Sequence, residues 1–120
     1  MHRCITVTGT VISTSPEKDG DVHIKVKLDS HYRHVLNHFN YTEQDGNLVV
    51  EPICVKTPEP DQHQAKMACG KFRQHIGKLK VRTRVSITGA LVTDTRVKIG
   101  RDWTHGWREI HPVTTIRPSR

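Results

Sequence analysis

Aromatic residues are scarce in this 120-residue chain: two Trp, two Tyr and two Phe, 5% of the sequence. Proteins that grip single-stranded nucleic acid stack bases on aromatic side chains, so this scarcity argues against tight, sequence-selective binding. Long apolar runs are also missing. Nothing approaches the roughly 18 residues that cross a bilayer, and no membrane partner is expected. No charged-then-apolar leader follows Met1, so the protein is expected either to stay in the cytoplasm or to have lost a leader. Cysteine is limited to Cys4, Cys54 and Cys69, with no Cys-x-x-Cys pair, which excludes a zinc ribbon or a thioredoxin-like motif. The odd count leaves two readings open: a bridge between Cys54 and Cys69 with Cys4 left over, or three buried thiols. Neither a Gly-x-Ser-x-Gly elbow nor a Gly-x-x-x-x-Gly-Lys loop occurs, which argues against serine hydrolases and nucleotide hydrolysis.

What the chain does have is unevenly placed charge. Residues 1–70 hold 7 Lys/Arg and 9 Asp/Glu, whereas residues 71–120 hold 12 and 3, so the net charge of +7 arises in the second part. A basic face for single-stranded nucleic acid or another polyanion is therefore expected. Its candidate cations are Lys25, Lys27, Lys78, Lys80, Arg82, Arg84, Arg96, Lys98 and Arg101, with Trp103 as a stacking residue. A merely solubilising surface is the competing reading. The nine histidines would strengthen any polyanion affinity as pH falls.

The hydrophobic pattern has period two. Val22, Ile24, Val26 and Leu28 alternate with His23, Lys25 and Lys27, a half-buried strand with a basic outer row. Strands are predicted over residues 5–13, 21–28, 48–55, 84–93 and 107–116. Gly9 and Gly89 hold matching places in Val-Thr-Gly and Ile-Thr-Gly, where a strand glycine signals a bulge or a close backbone approach. Pro52 places the third strand at an edge or a bulge. Residues 29–47 read as turns, with one short helical turn near His31–Leu36. Pro58 and Pro60 before residues 61–69, and Gly70 after them, mark a helix whose narrow apolar stripe is Ala65, Ala68 and Cys69. Three strands, one helix and two strands are the plan of a five-stranded OB-fold-like barrel in one domain, all-β with one helix. An open α+β sheet is the alternative.

The last strand concentrates polar chemistry. Trp107, Glu109 and His111 share one face, Arg108 and Ile110 the other, and His105 lies just before them. Glu109 is expected to pair with His105 or His111, since a buried carboxylate without a partner is costly.

Several stretches together resemble a small bacterial domain family of no assigned activity, whose members are often found in secreted proteins. They are Asp19-Gly-Asp-Val-His-Ile, Asn47-Leu-Val-Val-Glu-Pro-Ile-Cys54, Ala65 to Cys69, Val85-Ser-Ile-Thr-Gly-Ala and His105-Gly-Trp-Arg-Glu-Ile-His-Pro-Val. The resemblance runs through nearly the whole chain in order and is sharpest in the last stretch. It implies a common fold, a paired Cys54 and Cys69, and shared importance for His23, Asp94, His105, Glu109 and His111. A pairing of that kind would place the protein outside the cytoplasm. The chain departs from the family where residues 96–104 separate Asp94-Thr95 from His105, an insertion that threatens to push Asp94 away.

Three functions follow as expectations. A non-enzymatic domain with weak affinity for nucleic acid or polyanions, needing no cofactor, is the first. A metal-dependent hydrolase of phosphodiester type is the second, with zinc or another divalent ion on His105, Glu109 and His111, or with His23 as the third ligand in place of His105. A structural or partner-binding accessory domain, in which the Trp107–Glu109–His111 row only stabilises the barrel, is the third.

Overall fold

The computed structural model describes residues 3–77, 79–94, 97–99, 101–104 and 106–119, with backbone alone for 97–99 and 102–104. Alternation of apolar and polar residues builds β1 (Arg3–Pro16), β2 (Val22–Leu28) and β4 (Arg84–Thr93). They join β3 (Leu48–Val50) and β7 (Arg108–Pro118) in a closed barrel of order β1-β2-β3-β7-β4. The all-β, OB-fold-like barrel expected from the sequence is therefore present. Val7, Val11, Ile24, Val26, Leu48, Val50, Val85, Ile87 and Ile110 fill its interior.

Closure rests on a short parallel pairing, Val49 with Glu109 and Val50 with Ile110, while the remaining pairs are antiparallel. Small barrels need tight corners, and the two matched glycines supply them. A Cβ on Gly9 would stand 2.5 Å from the Lys27 carbonyl oxygen, and one on Gly89 would stand 2.5 Å from that of Pro112. Gly89 sits at irregularities in strand register, and Gly9 lies two residues before one.

Several boundaries differ from expectation. The third strand ends at Val50 rather than residue 55. Pro52 has no N–H to donate, and Cys54 adopts a left-handed φ of 55°, so regular pairing stops. Pro52 does not mark a sheet edge, because β3 lies between β2 and β7. The predicted helix begins at His63 and forms α2 (His63–Cys69), after a turn in which the Gln62 N–H bonds to the Glu59 carbonyl. Of its expected stripe, Cys69 is buried and Ala68 is exposed.

The segment read as irregular holds a 3₁₀ helix (Ser30–Val35) and also α1 (His38–Glu43). With six residues α1 is too short to display a helical hydrophobic period, but it carries a local signal. The Asn37 side chain accepts from the N–H groups of Phe39 and Asn40, and the Asn40 side chain accepts from the Asn37 N–H, a reciprocal cap.

The insertion folds as a separate two-stranded hairpin, β5 (Val97–Ile99) and β6 (Asp102–Thr104). Its neck is tied by backbone bonds, Asp94 N–H to the Trp107 carbonyl at 3.0 Å and Gly106 N–H to the Asp94 carbonyl at 2.6 Å. The insertion therefore loops out and leaves Asp94 beside the start of the last strand.

Cys54 and Cys69 form a disulfide, their Cα atoms 5.7 Å apart, which fastens the end of α2 to the segment after β3. Cys4 is free and exposed rather than buried. Among the described residues no helix is long and apolar enough to cross a membrane.

Candidate metal centre

Strand register dictates what meets on the outer face of β2, β3 and β7. Ile24 pairs with Val50 and Val50 with Ile110, so the next residue outward on each strand brings His23, Glu51 and His111 into one row. Glu51 follows the last β3 residue, yet its N–H still bonds to the Ile110 carbonyl at 3.0 Å. That bond fixes the carboxylate between two imidazoles. His23 Nδ1 stands 3.1 Å from one Glu51 oxygen, and His111 Nδ1 stands 3.4 Å from the other.

The predicted row on the last strand joins this cluster. Glu109 is 6% exposed; one of its oxygens lies 3.5 Å from His111 Nδ1, and the other accepts from Trp107 Nε1 at 3.3 Å. The partner expected for Glu109 is thus His111, with His105 lying outside the described residues. The β1–β2 loop contributes the rest. Asp21 reaches Glu51 and His111, and Glu17 reaches His23 and Glu51, with the ligand atoms of each trio within 4.8 Å of one another. The Cys54 N–H donates to Asp21 Oδ1 at 3.2 Å, which orients that carboxylate.

Asn40 holds the two closing strands in place. Its amide donates to the carbonyls of Asn47 and Arg108, and its oxygen accepts from the Arg108 N–H as well as from Asn37. A fully buried side chain thus bridges the starts of β3 and β7, just ahead of their short parallel ladder. Asn37 Nδ2 adds a bond to the Gly106 carbonyl.

Negative charge exceeds positive in this cluster, and proton affinities follow. The hydrogen bond to Glu51 raises the pKa of His23 despite burial, and contact with Glu109, then the charge of Glu51, does the same for His111. Burial pushes Glu51 upward, but the bond from His23 and the charge of His111 carry it net below the usual carboxylate range. Asp21 and Glu17 are raised, first by burial and then by neighbouring carboxylates, against the Cys54 N–H bond that lowers Asp21.

Within the trio Asp21, Glu51 and His111, the Glu51–His111 separation of 3.4 Å matches that of neighbouring ligands around a small tetrahedral ion. Ligand atoms about 2.0–2.1 Å from zinc stand roughly 3.3–3.5 Å apart. The residues fit such an ion in kind as well, since imidazole and carboxylate together suit zinc and its neighbours.

The predicted ligand trio was His105, Glu109 and His111. Glu109 and His111 do come together, His23 joins them through Glu51, and the structure adds Glu51, Asp21 and Glu17. A signal for Glu51 existed: it is the lone charge in an apolar strand, on the same outward parity as Val49. Asp94 falls outside both ligand trios, and its main chain closes the hairpin neck.

The predicted cations do not gather here. Arg84 is held by Asp29 through two bonds of 2.9 and 2.7 Å, and Lys25 lies 3.7 Å from Asp45. Lys27 on β2, Lys80 and Arg82 in the turn before β4, and Arg101 in the insertion are exposed. Lys78 and Arg96 lie outside the described residues, and only the backbone is described for Lys98 and Trp103.

The fold and this site together define an OB-fold-like barrel with a histidine–carboxylate cluster on its outer face. No protein-family model matches the chain, and no curated protein is significantly similar to it.

Proposed function

We propose that this domain is a divalent-metal-binding module that works outside the cytoplasm, with zinc as the ion its donors fit best. Asp21, Glu51 and His111 are the ligands in this reading. His23 donates to the second Glu51 oxygen and fixes its orientation, and Glu109 sits beside His111 as an additional carboxylate. The observation that carries it is the convergence on Glu51 of imidazole and carboxylate donors from the β1–β2 loop, β2 and β7. The Cys54–Cys69 bridge supports the compartment, because such bonds persist where thiols are oxidised. The acidic character of this face is why a cation, rather than a polyanion, is assigned to it.

A hydrolytic role is favoured by one further feature. Three protein ligands leave a tetrahedral ion a position open, and Glu17 stands exposed at the mouth, next to His23 and Glu51. Bound there, zinc would supply a Lewis acid that activates water. Glu17 is placed to hold or pass the proton.

Calorimetric titration of chelator-treated protein with zinc tests the binding claim. One site per chain is expected, lost in Glu51→Ala and intact in Glu59→Ala, a change at an exposed carboxylate outside the cluster. Equal zinc binding by Glu51→Ala and the unaltered protein would overturn it. Zinc-dependent cleavage of an activated phosphodiester, reduced in Glu17→Gln with zinc affinity unchanged, is the outcome the hydrolytic reading requires.

A further inference from the structure

A second concave site lies on the barrel exterior, where β1, β2, the 3₁₀ helix and the α1–β3 turn meet. It is a groove of about 400 Å³, lined by Ile12, Lys27, Arg33, Tyr41, Asp45 and Gly46 among others. Its size falls in the range of small-ligand pockets. We infer that this groove binds a nucleotide unit of single-stranded nucleic acid, its base stacked on Tyr41 and its phosphates held by Lys27 and Arg33.

Tyr41 is 54% exposed, although it belongs to a chain with few aromatics. Its ring is not simply loose. It packs over Gly46, where an added Cβ would lie 3.4 Å from the ring, and the turn there requires the positive φ of 78°. A seated, exposed ring is what base stacking needs, and Ile12, 40% exposed, adds an apolar wall. The electrostatics agree. Asp45 is engaged by Lys25, whereas among the described residues neither Lys27 nor Arg33 has a carboxylate partner. Two free cations beside an aromatic face complement a base flanked by phosphates.

Between Lys25 and Lys27, β2 itself offers no aromatic. The fold supplies it from α1, adjacent in space though not in sequence. The groove also shares a face with the histidine–carboxylate cluster: Lys27 lies four residues along β2 from His23, roughly 13 Å at strand rise. Binding in the groove needs no metal.

The test is titration of a fluorescent ten-residue oligothymidylate with the full chain at low salt, in chelator. Tyr41→Phe is expected to bind like the unaltered protein. Tyr41→Leu, which keeps an apolar side chain but removes the ring, is expected to weaken binding roughly fivefold or more. Lys27→Ala with Arg33→Ala should flatten the salt dependence by about 1.4 in log–log slope. Circular dichroism melts confirm that each variant is folded. Unchanged affinity in folded Tyr41→Leu would overturn the inference. So would loss of binding in Lys80→Glu with Arg82→Glu but not in the groove variants, or equal, Tyr41-insensitive affinity for inorganic polyphosphate, which has no bases.

Discussion

At the scale of single residues, Glu51 is the hinge of the account, because both imidazoles face it. Replacing it with Gln removes the charge that raises them, so the pKa values of His23 and His111 should both fall in Glu51→Gln. Histidine proton resonances followed across pH measure this, and unmoved titrations would refute the described contacts. The sign of the linkage is set by those raised values. Protonated His23 and His111 contribute stability that is complete below about pH 6.5 and is lost as pH rises through the higher folded values. Asp29 acts in the opposite sense. Bonds from Arg84 and Thr8 lower it to about 2, so its contribution holds above about pH 4 and disappears as pH falls towards 2. Asp29→Asn should therefore flatten the acid limb of a stability–pH curve and leave the alkaline limb alone. Asn40 is the most exacting single side chain, since four backbone groups depend on it. Asn40→Ala should cost about 2–4 kcal/mol in urea unfolding, as buried carbonyl and N–H groups lose their partner. Glu109→Ala should cost about 2–4 kcal/mol, by taking one of two carboxylates from His111 and the carboxylate acceptor from the Trp107 N–H.

At the scale of elements, the strands were legible and the helices less so. Val22 to Leu28 and Val85 to Leu91 announced their buried faces because period two survives wherever one side of a strand meets the core. α1 was missed because its job is polar: Asn37 and Asn40 are selected for hydrogen bonds, which leave no hydrophobic period. The site was legible in half. His111 and Glu109 lie two apart on one strand, so parity alone joined them. Glu51 and Asp21 reach them only through strand register and a loop, neither of which can be read from local sequence. The β5–β6 hairpin is closed off at Asp94 and Gly106, so excising residues 96–104 should leave the melting temperature and zinc affinity close to those of the full chain. The disulfide closes a loop with a sequence separation of 15. Its reduction should cost on the order of 3 kcal/mol, and thiol counting on the denatured, non-reduced protein should find one reactive group, Cys4.

At the scale of the whole molecule, the barrel carries two unlike surfaces on one exterior. The end of β2 bearing His23 meets a carboxylate-rich cluster, and the end bearing Lys27 meets a cationic, aromatic groove. Among the described residues, two of the basic side chains, Arg84 and Lys25, are paired with acidic residues. Because bound zinc must displace a proton from the raised His111 imidazole, metal affinity should climb as pH rises from about 5.5 to about 8, while the metal-free protein loses stability above about pH 6.5. Zinc should then raise the melting temperature most at the alkaline end. The most direct measurement is anomalous diffraction at the zinc edge from crystals of the full chain grown with the metal. The account predicts one strong peak about 2.0–2.2 Å from His111 Nδ1 and from oxygens of Glu51 and Asp21. A zinc peak elsewhere, with the Asp21–Glu51–His111 cluster vacant and His23 still bonded to Glu51, would contradict it.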